Sequence, residues 1–242
     1  DKYGAEVVDK GGLKVITTLD YELQVKAEEV VTRKALSNSK KLNAENAGLI
    51  AIDPKTGYIL AMVGSRGYFD KKIDGMVNIA LAKRQPGSAF KPFAYATAFS
   101  RGFTPETIIF DLKTQFSTAC DPNQFITTNI CYSPSNYGNK IHGPITMRNA
   151  LAQSVNIASV KTLYLAGVIN TIKTAESMGI TTLSDTSRFG LALVLGGGEV
   201  TLLDITSAYG VFANEGVRNP AVGIPVSHTH LRAHETKANL VC

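Results

Sequence analysis

Apolar and polar positions follow two different periods in the first third of the chain. The stretch from Leu13 to Thr18 is typical of a short strand. Asp20 then precedes a helical pattern, which we expect to end between Ser37 and Asn43. The apolar stripe of this helix contains Leu23, Ala27, Val30, Val31 and Leu36.

Two apolar runs follow, at 49–52 and 58–63, separated by Asp53-Pro54-Lys55-Thr56-Gly57. Proline and glycine between two β-rich runs predict a hairpin. Because both runs are continuously apolar rather than alternating, we expect them inside a sheet covered on both faces.

The segment 84–87 contains Pro86 and Gly87 and interrupts the pattern. A helix is predicted from Ser88 to about Ser100, and Pro92 is tolerated in its first turn. Residues 103–144 show little periodicity and predict a long loop-dominated excursion, of the kind that is usually functional. Helical patterns then resume at 146–153, 157–166, 170–178 and 204–215.

Composition narrows the class of protein. The chain has 242 residues, 44% of them hydrophobic and 19% charged, which excludes disorder, collagen and coiled coil and favours one large globular domain. The net charge of +5 comes from scattered basic residues, so we expect no nucleic-acid partner. No apolar run is long enough to span a bilayer, and the N-terminus lacks the pattern of a signal peptide.

The cysteines leave two alternatives open. Cys120 and Cys131 either form one disulfide, which indicates an oxidising compartment, or act as small hydrophobic residues, while Cys242 ends the chain.

The tail at 226–242 has neither an apolar stripe nor a strand pattern and resembles translated vector sequence, so we treat it as non-native. Its three histidines, His228, His230 and His234, have a spacing that is not specific for zinc. We therefore expect no metal and no cofactor.

The strongest chemical signal is Ser88-Ala89-Phe90-Lys91. A serine hydroxyl needs a base to become a nucleophile, and a lysine three residues later lies on the same helical face. The positive end of the helix favours an alkoxide at Ser88 and disfavours the charged form of Lys91. Taken alone, the short pattern also fits an exposed helix start with a solvated lysine.

A second element, Ser154-Val155-Asn156, follows 66 residues later. The Ser154 hydroxyl could relay a proton from Lys91 to a leaving amine, and the Asn156 amide could hold a substrate amide. Ordinary helix capping is the alternative interpretation. In this order the two elements match the S-x-x-K and S-x-N signature of penicillin-binding proteins and serine β-lactamases.

Two other features have simpler explanations. Gly196-Gly197-Gly198 lacks the lysine and hydroxyl residue of a phosphate-binding loop and predicts a turn. The lone His142 in the long loop is interpreted as structural, and the spacing of Asp53, Asp111 and Asp121 does not suggest an acid and base pair.

The chain resembles class A penicillin-binding proteins of the 1A-like kind from about Tyr3 to Pro225. The stretches that resemble this family are 12–20, 84–92, 150–156 and 208–214. The resemblance implies an α+β transpeptidase fold that crosslinks peptidoglycan stem peptides, binds β-lactams and lies on the extracytoplasmic side of the membrane. It also implies that Ser88 is the nucleophile, Lys91 the base, Ser154 the proton relay and Asn156 a substrate contact.

The family's third motif, K-[ST]-G on a later strand, does not follow Ser154. Lys55-Thr56-Gly57 precedes Ser88 in a predicted turn and is interpreted as a coincidence. The resemblance implies a five-stranded sheet, of which we expect the first hairpin alone in this chain. It also implies an upstream glycosyltransferase domain and membrane anchor, which we expect to lie outside these residues. We therefore expect a C-terminally truncated transpeptidase domain at 21–225, after a linker or first strand at 1–20. We also expect this truncated form to be inactive.

Two alternative functions remain open at this point. A serine β-lactamase would need a group that activates a deacylating water, and no glutamate or modified lysine in the sequence suggests one. The other alternative is a non-catalytic domain that binds β-lactams or peptidoglycan. In the family, the strand that carries K-[ST]-G supplies one of the two N–H donors of the oxyanion hole, and this motif does not follow Ser154.

Overall fold

The structure is a computed structural model that describes residues 15–225. The predictions for Leu13 and Lys14 and for the tail at 226–242 lie outside the described residues. The chain divides into two compact units, one formed by the described residues up to Ala82 together with those from Thr206, and the other by Lys83–Ile205. The helices and strands are α1 (Tyr21–Leu42), β1 (Leu49–Ile52), β2 (Ile59–Val63), α2 (Lys91–Ser100), β3 (Ile108–Asp111), β4 (Gly143–Thr146), α3 (Met147–Ala152), α4 (Asn156–Ala166), α5 (Val168–Ser177) and α6 (Leu202–Ala213).

In the first unit, α1 begins as predicted. The Asp20 carboxylate accepts a hydrogen bond from the Leu23 amide and caps the helix. The buried row is formed by Ala27, Val31 and Ala35. The prediction that Leu23 and Leu36 belong to the buried stripe is wrong, because both are exposed. The small residues spaced four apart let the helix approach the strands closely, while the two leucines lie at the edge of the buried helix face.

The predicted hairpin is confirmed. Strands β1 and β2 pair antiparallel, with Leu49 opposite Val63 and Ala51 opposite Ala61. Lys55-Thr56-Gly57 lies in the turn, where the Gly57 amide donates to Asp53 O at 2.8 Å. The expected burial on both faces is wrong: Ala61 and Val63 are buried against Ala27 and Val31, but every residue of β1 is only half-buried.

The predicted first strand is wrong for the residues described at 15–18, which have no strand assignment. Thr18 nevertheless lies beside β2, since its amide donates to Gly223 O at 3.0 Å and its hydroxyl donates to Ile59 O at 2.7 Å. The segment therefore packs against the hairpin through isolated hydrogen bonds rather than through a ladder.

The outer edge of β2 is closed by a side chain. Gln24 of α1 accepts a hydrogen bond from the Met62 amide at 2.8 Å and donates to Met62 O at 3.1 Å. One amide side chain thus satisfies both backbone groups that a neighbouring strand would bind. An edge with satisfied backbone groups is protected from pairing with another chain.

The second unit contains a pair of strands that the sequence analysis missed. Strands β3 and β4 pair antiparallel at the two ends of the predicted long loop, with Ile109 opposite Ile145. Between them the chain is largely irregular, as expected, and a disulfide joins Cys120 to Cys131. This resolves the alternatives for the two cysteines in favour of a bridge.

Helices α2, α3 and α4 form an apolar core with the two strands of this unit. The predicted helices at 146–153, 157–166 and 170–178 are confirmed with shifts of at most two residues, as is the predicted helix at 204–215. The core cluster contains Tyr95, Ala98, Ile109, Ile145, Met147, Ala150, Val155, Ala158 and Ala166. Both strands and three helices therefore contribute to one apolar cluster.

Within residues 15–225, no helix is both long and apolar enough to cross a membrane.

We predict that Gln24→Ala lowers the free energy of unfolding by about 1–3 kcal/mol, because it leaves both Met62 backbone groups without their partner. Urea denaturation followed by circular dichroism measures the change. The control is Lys26→Ala on the same helix, which removes an exposed ion pair with Glu29 and should change stability by less than about 1 kcal/mol. Equal effects of the two substitutions would contradict this role of Gln24.

Candidate active site

The residues predicted to carry the chemistry all belong to the second unit. Ser88 lies in a 3-10 turn at Gly87–Phe90, and the Lys91 amide donates to Ser88 O. The prediction that Ser88 opens the α-helix is therefore corrected: α2 begins at Lys91, after this tighter turn. A 3-10 turn has three residues per turn, so Ser88 and Lys91 project from the same side of it. Ser88 is exposed, whereas Lys91 is buried.

Two glycines permit this turn. Gly87 has φ of 58°, in the left-handed region that favours glycine. Gly196, which has φ of 93°, lies against it so closely that a Cβ there would be 2.2 Å from the Gly87 amide nitrogen. The predicted turn at 196–198 is thus confirmed, and its role is to let two backbone segments touch beside Ser88.

The Lys91 ammonium binds three oxygen atoms. It donates to Ser154 O at 2.7 Å, to Ser154 Oγ at 3.0 Å and to Asn156 Oδ1 at 2.8 Å. The whole residue is only 1% exposed. A lysine ammonium has three N–H donors, so these contacts use its full capacity.

Burial lowers the pKa of Lys91 from 10.5 to about 8, because removing the ammonium from water disfavours its charged form. The three contacts are to uncharged oxygens rather than to a carboxylate. A proton acceptor with a pKa near neutral pH suits general base catalysis better than an ordinary exposed lysine does.

Ser154 has a strained backbone. It follows α3 with φ of 53°, a left-handed conformation that is costly for residues other than glycine. The Ser154 amide donates to Leu151 O and the Val155 amide to Ala150 O, which is the hydrogen-bond pattern of a Schellman motif. Serine therefore occupies the position at which helices commonly end in glycine, and its hydroxyl reaches Lys91.

Asn156 is the first residue of α4. Its Oδ1 accepts from Lys91 at 2.8 Å, and its Nδ2 donates to Ser135 O at 2.9 Å. An amide NH₂ group has two hydrogens, so one remains for a further acceptor. The orientation of this side chain is fixed by contacts on both of its ends.

The structure brings Lys91, Ser154 and Asn156 into direct contact, as their predicted roles require. Ser88 lies one turn from Lys91, and within residues 15–225 its hydroxyl has no hydrogen-bond partner. Catalytic hydrogen bonds often form only when substrate is bound. In the same described range, no group of three histidine, cysteine, aspartate or glutamate side chains is arranged to hold a metal ion.

Sequence analysis missed the residues that support this site. Asp111 is completely buried, accepts hydrogen bonds from Asn136 and from the His142 amide, and lies within hydrogen-bond distance of the His142 ring. The His142 Nδ1 lies 2.7 Å from Asp111 Oδ2. This contact with a buried carboxylate fits the interpretation of His142 as a structural residue. The contact between Ser135 and Asn156 was also missed. No local pattern in the sequence links these residues.

Comparison with known proteins shows the family of this chain. Residues 47–222 match the family described as the penicillin binding protein transpeptidase domain, and the chain belongs to that family. It is 38% identical over 212 residues to penicillin-binding protein 2D of Bacillus subtilis, covering 87% of this chain and 28% of that protein. It is 36% identical over 170 residues to penicillin-binding protein 1A of Neisseria meningitidis, covering 70% of this chain and 20% of that protein.

Solved structures share the fold. The penicillin-binding protein PonA1 of Mycobacterium tuberculosis in complex with penicillin V aligns with a TM-score of 0.70 at 20% identity, covering 95% of this chain and 61% of that one. Penicillin-binding protein 1A of Haemophilus influenzae aligns with a TM-score of 0.60 at 26% identity, covering 77% and 29% of the two chains. The predicted α+β penicillin-binding transpeptidase fold is confirmed, with incomplete sheets in the part of the chain described.

We predict that Ser154→Gly is more stable than Ser154→Ala by about 1 kcal/mol, because only glycine adopts the left-handed conformation without cost. Both variants lack the hydroxyl, so the comparison isolates the backbone. Urea denaturation of the two variants measures the difference.

The control position is Ser177, the last residue of α5. There the order should reverse, with glycine less stable than alanine by up to about 1 kcal/mol. A Ser154→Gly variant less stable than Ser154→Ala would contradict the assignment of strain to this position.

Proposed function

We propose that this domain is a peptidoglycan D,D-transpeptidase that acts through a serine acyl-enzyme. The observation that carries the proposal is the contact of a buried lysine of lowered pKa with the serine and asparagine of the second motif, one turn after an exposed serine. The family supplies the reaction class. Because the chain spans 28% and 20% of the curated relatives named above, the activity of a whole protein of this kind is part of the proposal.

In the first half-reaction, Ser88 Oγ attacks the carbonyl carbon of the penultimate D-Ala, and the hydroxyl proton passes to the neutral Lys91 amine. The peptide C–N bond then breaks, and the terminal D-Ala leaves after its nitrogen takes up a proton. In the second half-reaction, an amine of a neighbouring stem peptide attacks the ester carbonyl. The new peptide bond forms, the amine loses a proton, and Ser88 regains its own.

Ser154 is suited to carry the proton between Lys91 and the leaving nitrogen. Two of the three Lys91 contacts are to carbonyl oxygens, which accept hydrogen bonds but cannot donate them. The Ser154 hydroxyl both accepts and donates. It can therefore take a proton from Lys91 while passing its own to the nitrogen.

Asn156 is suited to bind the acyl donor. Its Oδ1 is held by Lys91 and one Nδ2 hydrogen by Ser135 O. The second Nδ2 hydrogen can bind an amide carbonyl of the stem peptide or of a β-lactam side chain. Asn156 therefore connects substrate binding to the position of the base.

We place the domain on the extracytoplasmic side of the cell membrane, where peptidoglycan is crosslinked. The Cys120–Cys131 disulfide supports this location, because disulfides persist in oxidising compartments and are rare in the cytosol.

Intact-mass measurement after treatment with penicillin tests the proposal. The protein carrying this domain should gain the mass of one penicillin, because the opened lactam ring has no group that departs, and peptide mapping should locate the adduct at Ser88. Ser88→Ala should gain none. An unmodified wild-type protein would overturn the proposed nucleophile, and rapid release of hydrolysed penicillin would support a β-lactamase instead.

The pH dependence of acylation provides a separate prediction. Since the proton acceptor is the neutral amine of Lys91, the acylation rate constant should rise about tenfold per pH unit below pH 8 and level off above it. Stopped-flow measurement with a fluorescent penicillin gives the profile, and Ser88→Ala corrects for hydrolysis of the probe. A midpoint near 10.5, the ordinary value for lysine, would contradict the assignment.

A further inference from the structure

Helix α4 lacks a side-chain cap of its own. Its N-cap residue, Val155, makes no capping hydrogen bond, although the first amides of a helix have no partners within it. Asn136 fills this role from the preceding loop, since its Oδ1 accepts from the Ile157 amide at 3.0 Å. The cap therefore comes from a residue 21 positions earlier in the chain.

The cap and the active site are adjacent. Ser135 O accepts from Asn156 Nδ2 at 2.9 Å, and Asn136 Oδ1 accepts from the next residue of α4. Two consecutive loop residues thus bind two consecutive helix residues. A displacement of this loop would move the carbonyl group that orients the Asn156 amide.

Asn136 is itself held in one orientation. Its Nδ2 donates to both oxygens of Asp111 at 2.9 Å and to Lys140 O at 2.8 Å. Reversing the amide would place its oxygen against the buried carboxylate and its NH₂ group against the Ile157 amide, so the observed orientation is the one that satisfies every partner. Asn136 is only 7% exposed and Asp111 is not exposed at all.

Asp111 is anchored in turn at the end of the β3–β4 pair. It accepts from the His142 amide at 2.8 Å and lies 2.7 Å from His142 Nδ1. The carboxylate therefore ties the loop residue to the end of a paired strand. The chain of contacts runs from this strand through Asp111 and Asn136 to α4 and its first residue, Asn156.

We infer that Asn136, held by Asp111, is a positioning residue for acyl transfer, which sets the orientation of Asn156 toward Lys91 and the substrate amide. The inference rests on the proposed function above. Asn136 itself touches neither Lys91 nor Ser154 in the hydrogen bonds of the described residues. We therefore expect its effect on the reaction to pass through α4 and Asn156.

A double-mutant cycle tests this pathway. The acylation rate constant for penicillin is measured for Asn136→Ala, Asn156→Ala and the double variant. We expect Asn136→Ala to slow acylation about 10- to 100-fold, as misplacement of a positioned group does. If Asn136 acts through Asn156, the double variant should be no more than about twofold slower than Asn156→Ala.

The control is Asn129→Ala, which removes an exposed asparagine of the same loop and should acylate as the wild type does. Losses that multiply in the double variant, or unchanged acylation in Asn136→Ala, would overturn the inference. The failure of the proposed function is a distinct result, because the wild type would then form no adduct at Ser88.

A second pair of variants covers the case in which Asn136→Ala does not fold. Asn136→Asp keeps the acceptor for the Ile157 amide but places a second carboxylate beside Asp111, and we expect it to lose acylation. Adding Asp111→Asn leaves one amide and one carboxylate in the pair. The double exchange should therefore acylate at least tenfold faster than Asn136→Asp alone. No recovery in a folded double exchange, with folding checked by circular dichroism, would overturn the pairing.

Discussion

The proposed active site depends on the burial of one lysine among uncharged oxygens. Lys91 is removed from solvent, and its three hydrogen bonds go to two residues of the second motif. Burial without a neighbouring carboxylate lowers its pKa to about 8, so that a neutral amine becomes accessible near physiological pH. An anionic partner would have the opposite effect and would keep the lysine charged.

The backbone around this lysine is arranged to make those contacts possible. Gly87 and Gly196 let two segments meet beside Ser88, and Ser154 adopts a left-handed conformation so that both its carbonyl and its hydroxyl reach Lys91. Strain of this kind persists where the surrounding structure holds it in place. Here the Schellman hydrogen bonds after α3 and the cap that Asn136 provides to α4 enclose Ser154 from both sides.

Local patterns predicted much of this structure. The hairpin, most helices and the contact between the S-x-x-K and S-x-N elements follow from turn residues, helix signals and the resemblance to a family. The sequence did not reveal β3 and β4, whose pairing joins residues separated by a long loop and whose second strand contains Gly143 and Pro144. Asn136 and Gln24 were missed for the same reason: each satisfies backbone groups of an element that is distant in sequence, and no local periodicity records such a contact.

A direct titration of Lys91 is the most decisive measurement. In protein labelled with ¹³C at the lysine side chains, the Cε resonance of Lys91 can be assigned by its loss in Lys91→Arg and followed by NMR as the pH is raised. A midpoint near pH 8 would agree with a buried amine held by Ser154 and Asn156. A midpoint near 10.5 would show a solvated ammonium and would contradict the account of the site.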